Sequence, residues 1–135
     1  MLYRGMDRAA LDAAYNNTAA VGMARRDAYV AARVARSDAF RKAHAGRIDV
    51  PYGEGPRQRI DVFPCGAAAA ATLVFIHGGY WQQNDKEPFA FLGEGLLPAG
   101  FNLANVEYTL APAARMDQIV AEVRAAVGGT SRRRP

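Results

Sequence analysis

Cysteine occurs once in this 135-residue chain, at Cys65, so no disulfide can close within it and a reducing compartment suits it. No apolar run approaches the roughly 20 residues needed to cross a bilayer. The N-terminus lacks the charged, apolar and small-residue succession of a secretory signal. These absences predict a cytoplasmic protein with no membrane association. Lysine is nearly missing, with Lys42 and Lys86 set against 15 arginines, while alanine occurs 28 times, including the run Ala67 to Ala71. That bias reads as the coding of a GC-rich gene more than as a structural demand. Neither GxGxxG nor GxxxxGK[ST] is present, so the usual glycine-rich phosphate cradles are not expected. No ligand spacing indicates a metal, and no cofactor is implied.

What remains is an ordinary globular composition, half of it hydrophobic, in a chain long enough for one domain. The net charge of +4 has a local origin. Arg132, Arg133 and Arg134 supply three of the charges, and without them the chain stands at +1. No basic stripe interleaved with aromatics lies elsewhere, which argues against a nucleic-acid partner.

Residues 6 to about 44 are rich in alanine and arginine with no internal proline, and read as helical. Asp7 is placed to cap the start, and Leu11 and Tyr15 share a face. Residues 19–43 have no sharp apolar stripe and read as a surface helix. Beyond Ala45-Gly46 the period changes. "RIDVPYG" and "RQRIDVFP" alternate apolar residues on either side of "GEGP", which predicts a β-hairpin. "TLVFI" is apolar on both faces, as a strand buried within a parallel sheet would be. "EPFAFLGEGLLPAG" has helical spacing with Pro88 in its first turn and Gly100 past its end. "FNLANVEYTL" reads as a strand, and "RMDQIVAEVRAAV" as a helix with Ile119, Val123 and Val127 on one side. The order predicts a single α/β domain: a helical region over 1–45, a hairpin plus βαβα over 46–127, and an unstructured tail over 128–135.

The stretch "TLVFIHGGYWQQN" poses the functional question, since an apolar strand stops at His77-Gly78-Gly79 and runs into Tyr80-Trp81. In open α/β sheets, ligands collect beyond the carboxyl ends of the strands. Adjacent glycines let backbone approach a substrate and turn its N–H groups outward, as stabilising an oxyanion requires. Taken singly, each feature has a plainer meaning. Gly-Gly after a strand is most often a tight turn, a lone histidine a structural one, and a lone tryptophan part of a core.

In combination, "HGGYW" after a buried strand resembles the HGG(G/x)W oxyanion motif of α/β-hydrolase esterases, lipases and amidases. It is most similar to the HGGxW of the kynurenine formamidase (arylformamidase) branch. "YRGMDRAALDAAYNN", "IDVFP", "HGGYWQ" and "VEYTLAP" all look like that group and follow its order, from about Tyr3 to about Val127. The resemblance implies the N-terminal part of an α/β-hydrolase fold with an incomplete sheet, and a small-molecule ester or amide as substrate. It also implies an oxyanion hole from the main-chain N–H groups of Gly79 and Tyr80. His77 would brace the loop, Tyr80 and Trp81 would line an apolar pocket, and Tyr108 would support the same loop. A homodimer is left open.

The family places its nucleophile in a G-x-S-x-G elbow after the next strand, followed by Asp or Glu and then His. The two serines here, Ser37 and Ser131, lie in no such motif, and His44 and His77 both precede its expected place. Cys65 with His77 could form a nucleophile–base pair, and His44, Cys65 and His77 could gather on a metal. Nothing around Cys65 predicts a thiolate, however. The simpler expectation is that the triad is absent and the chain is inactive by itself. The arginine-rich ending reads as an out-of-frame or premature stop. Its strand "TLVFI" would then be left as an exposed apolar edge, in a marginal or poorly soluble product. The alternative is a non-catalytic binding module, either a pseudoenzyme or a half-domain completed by another polypeptide.

Overall fold

The computed structural model describes residues 2–68 and 70–132. The chain divides between Ala32 and Arg33 into two compact units, so the division falls inside a helix and not after the helical region. In the first unit, α1 (Arg8–Ala14) starts at Asp7, whose side chain accepts from the Ala10 N–H at 2.8 Å. α2 (Asn17–Val21) starts in the same way at Asn16, which accepts from the Ala19 N–H at 3.0 Å. The stretch expected to be one helical run is therefore broken. Asn16 offers the backbone a side-chain acceptor in place of a continuing turn, and Gly22, at φ +85°, interrupts the path before α3 (Met23–Ala43) begins.

The second unit is built on a four-stranded sheet of β1 (Arg47–Pro51), β2 (Arg59–Phe63), β3 (Thr72–Ile76) and β4 (Asn102–Val106) in the order β1-β2-β4-β3. β1 and β2 form the antiparallel hairpin read from the alternating pattern, with Val50 opposite Ile60. β2 also pairs antiparallel with β4, while β3 and β4 run parallel from Thr72↔Asn102 to Ile76↔Val106. The parallel pair is joined by a 3-10 helix (Glu87–Leu92) that continues into α4 (Gly93–Leu96), where the pattern suggested one longer helix. α5 (Met116–Arg132) follows β4.

Each face of the sheet carries its own core. On one, Phe40 of α3, Phe63, Ala90 and Leu103 are buried together, with Phe75, Leu92, Leu96 and Leu97 around them. On the other, Ile60, Ala104 and Val106 pack with Ala126 of α5. Burying a side chain of the size of Phe63 or Leu103 stabilises the fold by about 1.5–3 kcal/mol each. Gly93 permits the approach of α3, since a Cβ there would stand 2.1 Å from the Phe40 ring.

β3 is apolar on both faces and, among the described residues, ends the sheet order beside β4, as expected of this strand where the next one is missing. Leu73 and Ile76 are 39% and 41% exposed. Apolar composition matched an interior strand, but position in the sheet decides burial. The tail expected to be unstructured from 128 instead continues α5 to Arg132, because extending a formed helix adds one hydrogen bond per residue without a new nucleus. Residues 133–135 lie outside the described part. The described residues of the second unit form an open α/β sheet.

Candidate functional site

The carboxyl end of β3 delivers the chain into His77-Gly78-Gly79-Tyr80-Trp81. Here Gly79 has φ +133°, and Tyr80 and Trp81 have φ +53° and +58°. Two consecutive non-glycine residues in the left-handed region cost about 1–3 kcal/mol each, and such strain persists only where neighbours enforce it. At Gly79 the constraint is steric, since a Cβ would lie 2.4 Å from the Gln83 carbonyl oxygen. The Gly79 carbonyl accepts from the N–H groups of Gln82 and Gln83, both at 3.0 Å. Asn84 donates its side-chain amide to the Gly78 carbonyl at 2.8 Å, and the Trp81 carbonyl accepts from the Ala111 N–H at 2.7 Å. The loop is pinned on both sides of the strained pair.

His77 anchors it from below and is only 2% exposed. Its ring stacks between Tyr108, at 4.5 Å between centroids, and Phe89, at 6.1 Å. Nε2 donates to Glu107 Oε1 at 3.0 Å, and Nδ1 faces the Gly78 carbonyl at 3.1 Å. Tyr108 reaches the same segment by donating its hydroxyl to the His77 carbonyl at 2.9 Å. A buried histidine committed to Glu107 through Nε2 and stacked with Tyr108 and Phe89 is a brace for the loop.

Glu107 lies just past β4 and is buried. Burial alone pushes its carboxyl up. The hydrogen bond from His77, the N–H groups of Lys86 and Tyr108 and the Arg57 charge together outweigh that, and hold it below the usual range. Arg57, in the hairpin turn, donates to Glu107 at 2.6 Å, Asp85 at 2.8 Å, and the Asn84 and Tyr108 carbonyls, each at 2.9 Å. Beside it the Lys86 ammonium is buried against Asp49, Asp61 and Glu87. Burial lowers the Lys86 pKa, but these carboxylates outweigh it and raise the pKa.

The remaining sequence candidates lie elsewhere. Ser37 is 1% exposed on α3, where its hydroxyl accepts from the Phe91 N–H at 3.1 Å. Ser131 falls on α5. His44 stacks on Phe40, with Nδ1 facing the Phe40 carbonyl at 3.1 Å. Cys65 is half-buried after β2, and the base suggested for it, His77, is committed to Glu107. Among the described residues, no three His, Cys, Asp or Glu side chains are grouped to hold a metal. Tyr80 and Trp81 are 68% and 50% exposed.

Pattern reading missed Glu107, Arg57 and Lys86. The available signals were the lone carboxylate of "FNLANVEYTL" and one of only two lysines.

The BD-FAE family model matches residues 62–128, a span that includes the loop and Glu107. Kynurenine formamidase of Danio rerio is 35% identical over 102 residues, covering 74% of this chain and 35% of that protein. Kynurenine formamidase of Salmo salar is 39% identical over 82 residues, covering 59% of this chain and 28% of that protein. A crystal structure of a candidate thioesterase from Silicibacter sp. matches with a TM-score of 0.83 and 32% identity, over 90% of this chain and 46% of that one. The chain is an α/β-hydrolase, formamidase-like in sequence. Esterase B of Lactobacillus rhamnosis shares the fold at 19% identity and a TM-score of 0.56, over 78% of this chain and 38% of that one. The chain spans about a third of the length of the curated relatives it matches. Within this α/β-hydrolase the strained loop sits where the parallel strand β3 ends, at the edge of the sheet on which ligands collect.

Proposed function

We propose that residues 77–81 are the oxyanion-binding loop of a hydrolase that cleaves small esters or aryl formamides by acyl transfer. In that chemistry a nucleophile adds to the substrate carbonyl, whose oxygen becomes an alkoxide, and collapse then expels the alcohol or amine. The N–H groups of Gly79 and Tyr80 are assigned to the alkoxide, with Tyr80 and Trp81 against the acyl or aryl group. The observation that carries this reading is the enforced positive φ at Gly79, Tyr80 and Trp81, fixed before any substrate arrives. Donors set in advance need no reorganisation as charge develops, which is how such holes act. The formamide class is supported by the two fish relatives that bear that name.

These 135 residues include no G-x-S-x-G, and we assign no turnover to the chain alone. The test is p-nitrophenyl acetate hydrolysis by the 135-residue chain, and by the chain continued in whichever frame of its gene supplies G-x-S-x-G. The expected result is buffer-level release from the first and turnover from the second, with Gly79→Ala lowering kcat about 10²-fold or more. Turnover by the chain alone that survives Gly79→Ala would overturn the assignment. A second reading, a non-catalytic binding module, is favoured by the exposed Tyr80 and Trp81 side chains. It predicts saturable binding of aryl esters without turnover in either context.

A further inference from the structure

The supports of the 77–81 loop converge on one carboxylate that belongs to neither the loop nor any triad. Glu107 Oε1 accepts from Arg57 Nη2 at 2.6 Å, from His77 Nε2 at 3.0 Å and from the Tyr108 N–H at 3.0 Å. Oε2 accepts from the Lys86 N–H at 2.9 Å. The Glu107 carbonyl takes the Tyr52 hydroxyl at 2.6 Å. The hairpin, the loop, the lead into the 3-10 helix and the end of β4 thus all meet there.

We infer that Glu107 is the positioning residue of the loop. Its carboxylate keeps a proton on His77 Nε2 and fixes the ring, and the ring fixes the main-chain path from His77 into Gly79. The catalytic meaning of this inference rests on the oxyanion reading proposed above; the mechanical part does not. Two features separate it from a generic buried ion pair. Both carboxylate oxygens face donors only, so an amide in this place would turn its NH2 against an N–H in either orientation. Arg57 keeps its bonds to Asp85, Asn84 and Tyr108 when Glu107 is changed, whereas His77 loses the side-chain hydrogen bond that Glu107 gives it. Damage from altering Glu107 is therefore directed at the loop.

The experiment is NMR on the full 135-residue chain labelled with 15N. In the wild type, a long-range proton–nitrogen correlation is expected to show a proton on His77 Nε2. A bare Nε2 would overturn the inference whatever the variants do. Amide exchange is then compared in Glu107→Gln and Glu107→Asp, the second keeping the charge but withdrawing it by one methylene. The N–H groups of Gln82 and Gln83, which close the loop onto the Gly79 carbonyl, are expected to exchange at least 10-fold faster in both. The β4 amides of Leu103 to Val106 should stay within about threefold of wild type. Equal acceleration throughout, unchanged loop exchange, or failure of both variants to fold would make Glu107 a residue of the fold at large and overturn the inference. A Glu107-dependent loop in a protein that never turns over esters would overturn the proposed function and leave this inference standing. Ester turnover with a loop indifferent to Glu107 would do the reverse.

Discussion

Glu107 and Gly79 illustrate how differently two residues can be indispensable to the same loop. For Glu107 the sign of the pH effect follows from its depressed pKa. The stabilisation is fully present above the ordinary carboxylate pKa of about 4.3 and is lost as pH falls through the lower folded-state value. Urea midpoints measured from pH 7 down to pH 3 should fall more steeply for wild type than for Glu107→Gln. Parallel curves would refute this. For Gly79 the obstacle is backbone against backbone, so Gly79→Ala cannot be relieved by a rotamer change and should displace the turn that Gln82 and Gln83 close. Loss of those two amides from the slowly exchanging set would confirm it. The glycine was legible in the sequence because only a few residue types tolerate such a turn. Glu107 was not, since nothing local distinguishes a buried carboxylate hub from a solvated one. The partners of its carboxylate lie up to 50 residues away, at Arg57.

Helices and strands announced themselves where local pattern and tertiary place agreed. The β1–β2 hairpin was readable because its alternation, split by "GEGP", matches a sheet with differing faces. The 3-10 helix was read as part of a longer helix because Phe89, Leu92 and Leu96 have helical spacing. The tight 3-10 turns are instead held by Phe89 against Phe75 and His77, contacts invisible in the spacing. α5 outran its expected end because 128–135 read as an unstructured tail, though neither Gly128 nor Gly129 breaks the established helix. Glycine inside a helix costs about 0.5–1 kcal/mol relative to alanine. A Cβ at Gly128 would meet open space. Gly128→Ala should therefore raise stability by roughly that amount, seen as a higher urea midpoint at unchanged slope. A lower midpoint would show that the helix ends before Gly128. Gly93→Ala is the opposite case. Its Cβ falls 2.1 Å from the Phe40 ring, and overpacking should cost about 1–3 kcal/mol by the same measurement.

At the scale of the whole molecule, the consequential feature is where the sheet stops. Among the described residues β3 is paired with β4 on one side only, and its five residues, Thr72 to Ile76, contain no lysine, proline, bulge or inward charge to blunt the open edge. Leu73 and Ile76 add partly exposed apolar side chains on opposite faces of that edge. The unpaired N–H and C=O groups of such a strand are a template for another strand. Salt does not weaken the apolar part of the attraction, so screening the chain's net charge of +4 should promote association. The 135-residue chain is therefore expected to self-associate at tens of micromolar, more strongly in 0.5 M salt than in 0.05 M, as read by light scattering after size exclusion. Leu73→Lys and Ile76→Lys place a charge on either face of the edge without touching the loop braces at His77, Glu107 or Tyr108. Each should shift the distribution toward monomer, and the pair together more than either alone. A wild-type chain that is monodisperse and monomeric, with one sharp unfolding transition, would show that the open edge is no liability. The apolar composition of β3 would then have to be explained by packing within the single chain.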